Sequence, residues 1–415
     1  MSKTHRDITS LIHHPYTPPI GFEAPQQGVF KASTVYFPTV ADMRQREWKD
    51  KSAYTYGLHG TPTTYTLEER LCTLEGGGQC VLVPSGLAAL ATVALALLQT
   101  GDEVLLPDNA YGPNKALAEG ELRHYGITHQ VYDPMDPSDL ASKIGPRTRL
   151  VWLEAPGSVS MEFPDLPEMV RLCQAQGVLC ALDNTWGAGL AFKPFDLRGD
   201  AVETGGRGSL GVDISAHALT KYPSGGGDVL MGSIITQDPG LHLKIKLCHM
   251  RLGLGVAAND AEAVLRSLPS IDLRYKAHDQ TARVLAAWWQ AQPQCAQLLH
   301  PAFDGSPGHA HWQALCERAP GKGLAAGLFS VMIDPRYSQA QVDAFCDSLK
   351  LFKIGYSWGG PVSLVVPYDL ASMRKAWPAH LQYGTLVRFS TGLESAEDLM
   401  HDLIQAMQAH LPWTS

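Results

Sequence analysis

Lys221 lies between an apolar run, Ala216-His217-Ala218-Leu219-Thr220, and a glycine-rich one, Ser224-Gly225-Gly226-Gly227-Asp228. The first reads as a buried strand end and the second as a flexible loop, so one amine is both desolvated and within reach of a ligand. An amine so placed loses its proton at moderate cost and attacks a carbonyl carbon. A second stretch, Val178-Leu179-Cys180-Ala181-Leu182, runs straight into Asp183. A carboxylate at the end of a buried strand sits where open α/β sheets bind their ligands. Taken alone, Asp183 before Asn184-Thr185 reads equally as a turn or a helix cap. A third stretch begins Pro84-Ser85-Gly86-Leu87-Ala88-Ala89 and continues as an alanine- and leucine-rich helix. Its first N–H groups and its dipole suit an anion, with Gly86 letting the backbone come close and Leu87 N–H as the next donor. A buried helix with a serine cap fits the same letters.

An amine that forms a Schiff base, a carboxylate that keeps a pyridine nitrogen protonated and a helix end for a phosphate are together the requirements of pyridoxal 5'-phosphate (PLP). In this order the three elements resemble the fold-type I PLP enzymes, and within them the transsulfuration (Cys/Met metabolism) family. The resemblance runs through almost the whole chain. Tyr54-Thr55-Tyr56-Gly57-Leu58-His59-Gly60-Thr61-Pro62-Thr63 is similar to the family segment that reaches into a neighbouring subunit's site. Leu74-Glu75-Gly76-Gly77, Asp108-Asn109-Ala110-Tyr111 and Leu386-Val387-Arg388-Phe389-Ser390-Thr391-Gly392 also match. Glu154-Ala155-Pro156-Gly157-Ser158 and Tyr356-Ser357-Trp358-Gly359-Gly360 resemble the bacterial β-lyase branch rather than the γ-synthases and γ-lyases.

The resemblance implies an α/β fold: a large, mostly parallel sheet domain with helices on both faces, followed by a smaller α/β domain. It implies β-elimination of L-cystathionine to homocysteine, pyruvate and ammonia, with side activity on cystine and cysteine. Lys221, Tyr111 and Tyr56 are the implied catalytic set. Lys221, Asp183, Gly86, Leu87, Tyr111, Thr220 and Tyr56 are the implied cofactor contacts, and Arg388, Ser357 and Trp358 the implied substrate contacts. It further implies a cytoplasmic homotetramer built from dimers that share active sites. A γ-lyase or another family reaction is the enzymatic alternative, and a PLP-fold regulator the non-enzymatic one. The regulator has no use for the electron sink that Lys221 and Asp183 would hold.

Periodicity agrees with this architecture. Apolar runs at Glu103–Leu106, Arg149–Leu153 and Val178–Leu182 alternate with helical patterns such as Leu166–Ala175, which points to a parallel sheet. The expected division is an arm over 1–62, a large domain over 63–262 and a small one over 263–415. With 415 residues, 45% hydrophobic and 18% charged, the chain has the composition of a globular protein. A net charge of −8 argues against nucleic acid, and the apolar run after Gly86 is too short to span a bilayer. The polar Met1–Asp7 start lacks a secretory core. Eight cysteines without a Cys-x-x-Cys pair suggest neither a metal site nor a disulfide framework. His13-His14 and His309-Ala310-His311 are read as surface histidines.

Two departures from the family stand out. Leu58 occupies the place of a phosphate-binding arginine, and 197–213 is longer than the turn the family has there. That insertion is expected to be an inert surface loop.

Overall fold

The computed structural model describes residues 28–199, 209–317 and 319–413, with a few isolated positions before residue 28. Most of the 197–213 insertion, and His13-His14, therefore lie outside the described residues. Leu197 N–H donating to the Leu210 carbonyl (2.8 Å) joins the insertion's two ends.

Seven strands form the first sheet: β1 Gln79–Val83, β2 Glu103–Pro107, β3 Thr128–Tyr132, β4 Thr148–Glu154, β5 Leu179–Asp183, β6 Ile214–Ala218 and β7 Gly232–Thr236. Their order is β1-β7-β6-β5-β4-β2-β3. The strands from β3 to β6 pair in parallel, while β7 runs antiparallel to both of its neighbours. Parallel pairing demands cover on both faces, which the uninterrupted apolar strands provide. Val151 and Leu153 of β4 face one helical layer, and Leu150 and Trp152 the other.

Because β7 is reversed, its first residue, Gly232, lies at the same edge where β4, β5 and β6 end. The helix Gly86–Leu97 also starts there, capped by the Ser85 hydroxyl, which accepts from Ala88 N–H at 3.0 Å. Two glycines permit this crowding. A Cβ on Gly86 would fall 2.6 Å from Ala218 Cβ, and one on Gly232 would fall 2.4 Å from the Ser85 carbonyl oxygen.

The second sheet has the order β10-β11-β12-β9-β8, from β8 Cys295–Leu299, β9 Leu328–Ile333, β10 Lys353–Ile354, β11 Leu364–Tyr368 and β12 Thr385–Ser390. Its inner face carries Phe329, Val387 and Phe389, which pack with Trp289 and Phe345. Strand alternation then turns Ser330 and Arg388, which are register partners, to the opposite face, toward the first sheet. Ser330 Oγ donates to the Val159 carbonyl at 2.6 Å, so that face rests on the loop after β4.

A buried polar cluster fastens the two parts together. Arg374 donates to Glu162 through Nη1 (2.8 Å) and Nη2 (3.0 Å) and to Asp108 through Nε (3.0 Å), while Asn109, Ser160 and His380 also bond the Glu162 carboxylate. Burial would raise the Glu162 pKa, but the bonds from His380 and Arg374 and the guanidinium charge bring it down to about 2. A folded-state pKa below the ordinary value near 4.5 adds stability above that value, and the gain is lost as pH falls toward 2. Breaking such a pair leaves a buried charge alone, at a cost of about 3–5 kcal/mol. Glu162→Gln should therefore melt well below the wild type at pH 7, with the gap narrowing between pH 4.5 and 3. Melting curves that stay parallel over that range would refute this assignment.

Candidate active site

Five strand ends line up along one edge of the first sheet, and each delivers a functional group. From β7 across to β2 these are Gly232, Lys221 just after β6, Asp183 ending β5, Glu154 ending β4, and Tyr111 shortly after β2. All of these but Gly232 border a cavity of about 460 Å3, which Arg388, Trp358 and Tyr368 close from the second sheet. Of the residues expected from the sequence, Lys221, Asp183, Gly86, Leu87, Tyr111, Thr220, Trp358 and Arg388 all line it. Ser357 touches it through Lys221.

The Lys221 ammonium donates to Ser357 Oγ at 3.0 Å and lies 5.4 Å from the centre of the Trp358 ring. Burial and the Arg388 charge lower its pKa to about 8, against an opposing pull from Asp183. The loop that carries it is pinned on both sides. Thr220 N–H and Oγ1 donate to the Met231 carbonyl (3.3 and 3.4 Å), and Gly359 packs so closely that a Cβ there would sit 2.9 Å from Tyr222 N. Trp358 also meets Tyr222 edge-on at 5.6 Å, so it is both packed aromatic and cavity wall. Ser357, an implied substrate contact, has its hydroxyl on the lysine.

Asp183 Oδ1 accepts from Thr185 N–H (3.1 Å) and from the Thr185 hydroxyl, whose oxygen also accepts from Ala218 N–H at 3.0 Å. Burial raises the Asp183 pKa, and the Thr185 bonds oppose this. Glu154 is its register partner on β4, a position that the sequence reading left without a role. Glu154 Oε2 accepts Tyr111 N–H at 2.8 Å. Burial and the Asp183 charge push its pKa up to about 8. Two carboxyls at adjacent strand ends thus share one buried edge, where a cation would relieve both. The signal in the sequence was the same as for Asp183, an apolar run ending in an acid.

Arg388 is 5% exposed, and its one hydrogen bond among the described residues is from Nη1 to the Ser158 carbonyl, 3.0 Å. No carboxylate pairs with it there. A buried guanidinium with unused donors in a cavity wall has the chemistry to receive a carboxylate.

Tyr56 is half-exposed, packs edge-on against His59, and does not line this cavity. Leu58 and His59 border a separate small pocket with Glu68, Lys246 and Gly255. The structure thus does not bring Tyr56 together with its own chain's Lys221. His309 Nδ1 bonds the Pro301 carbonyl, and His311 lies 3.8 Å from Asp165. No cluster of metal-ligating side chains exists among the described residues.

The cavity suits PLP on its own geometry. The glycine cradle at Gly86 brings unpaired helix N–H groups against β6, the acid pair waits for a protonated ring nitrogen, and the lysine amine has a lowered pKa. Residues 8–408 match the profile of the Cys/Met metabolism PLP-dependent enzymes. The chain belongs to that family. Among Cys/Met metabolism enzymes it is 36% identical to a cystathionine beta-lyase of Bordetella avium, over 97% of this chain and 98% of that one. It is 32% identical to an L-alanine/L-glutamate racemase of Wolbachia pipientis wMel, covering 92% of each. The solved structure of a cystathionine gamma synthase from Xanthomonas oryzae pv. oryzae superposes with a TM-score of 0.80 at 28% identity, over 94% of this chain and 95% of that one. The large parallel sheet and the smaller second sheet are therefore the fold of this PLP-dependent family.

Proposed function

We propose that this chain is a PLP-dependent carbon–sulfur lyase that cleaves L-cystathionine by β-elimination, releasing homocysteine, pyruvate and ammonia. The observation that carries the reading is the meeting of Lys221, the Asp183–Glu154 pair, Tyr111 and the unpaired Arg388 in one cavity. Bound there, PLP supplies an electron sink that stabilises negative charge at the substrate Cα. Lys221 would hold the cofactor through Nζ, and the same atom, positioned by Ser357, would take the Cα proton. Asp183 would neutralise the protonated ring nitrogen, and Gly86, Leu87 and Thr220 would hold the phosphate. Arg388 clamps the α-carboxylate and so orients the Cα–H bond. Tyr111, its N–H fixed by Glu154, would stack on the ring and help to position the departing sulfur. As the Cα–H electron pair drives out the sulfur, the Cβ–S bond breaks, the homocysteine sulfur takes up the proton held on Lys221, and water converts the three-carbon fragment to pyruvate and ammonium.

The same reading divides the chain at 62/63 and 262/263. It assigns Tyr56 and Leu58 to the cavity of a second copy, within a tetramer of site-sharing dimers located in the cytoplasm. Exposed apolar side chains on the arm, among them Phe30, Tyr36 and Val40, support such a contact. No helix among the described residues is long and apolar enough to cross a membrane.

Incubation with L-cystathionine decides the regiochemistry. Pyruvate with homocysteine is expected. Mainly 2-oxobutyrate with cysteine would move the chain to γ-elimination, and neither keto acid would remove the lyase reading.

A further inference from the structure

We propose that Tyr368 is a positioning residue for Arg388, its ring face holding the guanidinium in the orientation that selects ligands bearing an α-carboxylate. The inference rests on the carboxylate role of Arg388 given above and adds a part that no sequence motif marks.

Arg388 belongs to β12 and pairs in register with Val366 of β11, so Tyr368, two residues further along β11, projects from the same face on the diagonal. There its ring lies 5.3 Å from Arg388 Cζ. Tyr356 supports it edge-on at 6.3 Å. β10 pairs β11 only at Leu364 and Val365, so beyond them the outer side of β11 is an edge, where Pro367 costs no ladder bond. That edge leaves Tyr368 free to line the cavity.

The physical need is plain. A cation at 5% exposure with a single carbonyl acceptor among the described residues is poorly compensated. Pairing it permanently with an acid would occupy the donors that a substrate must find. An aromatic face stabilises the charge through its quadrupole while consuming no N–H. It also restricts rotation about the last side-chain bonds, so the donors stay aimed into the cavity. Ser158 from one side and Tyr368 from the other thus hold Arg388 without neutralising it.

The test uses the PLP-loaded enzyme and two probes that differ only in the carboxylate, L-alanine and ethylamine, with binding read from the visible absorbance of the cofactor. Tyr368→Leu should weaken L-alanine about tenfold and ethylamine less than about twofold, whereas Tyr368→Phe should hold L-alanine within about threefold. Equal losses for both probes would show a ring that merely packs the cavity, and would overturn the proposal. So would unchanged L-alanine binding in Tyr368→Leu, or a loss in Tyr368→Phe as large as in Tyr368→Leu, which would credit the hydroxyl instead. Arg388→Ala, measured alongside, should bind the two probes with similar affinity. If it still favours L-alanine as the wild type does, the carboxylate role of Arg388 falls, and this proposal with it.

Discussion

Replacing Lys221 by Ala should lower lyase turnover by at least about 10^4-fold, since in the proposed reaction the same atom serves as covalent anchor and as base. The fold should survive. Lys221 contributes one side-chain hydrogen bond, to Ser357, while its loop is held independently through Thr220, Met231 and Gly359. Borohydride reduction of the wild-type holoenzyme should place the phosphopyridoxyl mass on the peptide containing Lys221, and the Lys221→Ala protein should carry none. Label on a different lysine would sink the assignment of the whole cavity, because no other lysine among the described residues borders it.

The second large effect is expected at Arg388. Removing a buried, charge-assisted clamp that also orients the reacting bond costs about 3–5 kcal/mol of transition-state binding, so kcat/KM for cystathionine should fall a few hundredfold or more in Arg388→Ala. Retention of PLP should change little, since Arg388 lies on the second sheet, away from the Gly86 cradle. Steady-state kinetics together with cofactor content measure both halves of the expectation. Kinetics within a few-fold of the wild type would mean that another group receives the carboxylate.

The parts of this site that were legible in the sequence are those fixed by short-range rules. An apolar run ending in an acid gave Asp183, a serine before an alanine-rich helix gave the Ser85 cap, and a strand end before glycines gave Lys221. The structure bears out the helix Leu166–Ala175 and the parallel strands. What escaped depends on strand neighbours. Glu154 owes its raised pKa first to burial and then to Asp183, which the β4–β5 register sets beside it. Tyr368 meets Arg388 only through the β11–β12 pairing. The reversal of β7, which brings Gly232 to the ligand edge, has no periodicity to announce it. The Glu162–Arg374 pair joins residues 212 positions apart, and neither stretch carries a motif. Tyr56 is the opposite case: its segment resembles the family's, yet within one chain it stands apart from the cavity.

The reversed strand β7 also bears on when each property of the site arises. The Lys221 loop is an antiparallel hairpin connection, and Thr220 finds Met231 at a separation of 11 residues. Asp183 and Glu154 need only the neighbouring strands of the first sheet. Arg388, by contrast, meets Ser158 across 230 positions. Local contacts close quickly and distant ones slowly, and a chain leaves the ribosome N-terminus first. The lysine hairpin and the two acids therefore rest on contacts within the first sheet, whereas the Arg388 clamp, like the Ser357 and Gly359 contacts to the lysine loop, needs the second part of the chain. Capturing an aldehyde would thus draw mainly on the first sheet, and telling an amino acid from an amine on the joining of the two.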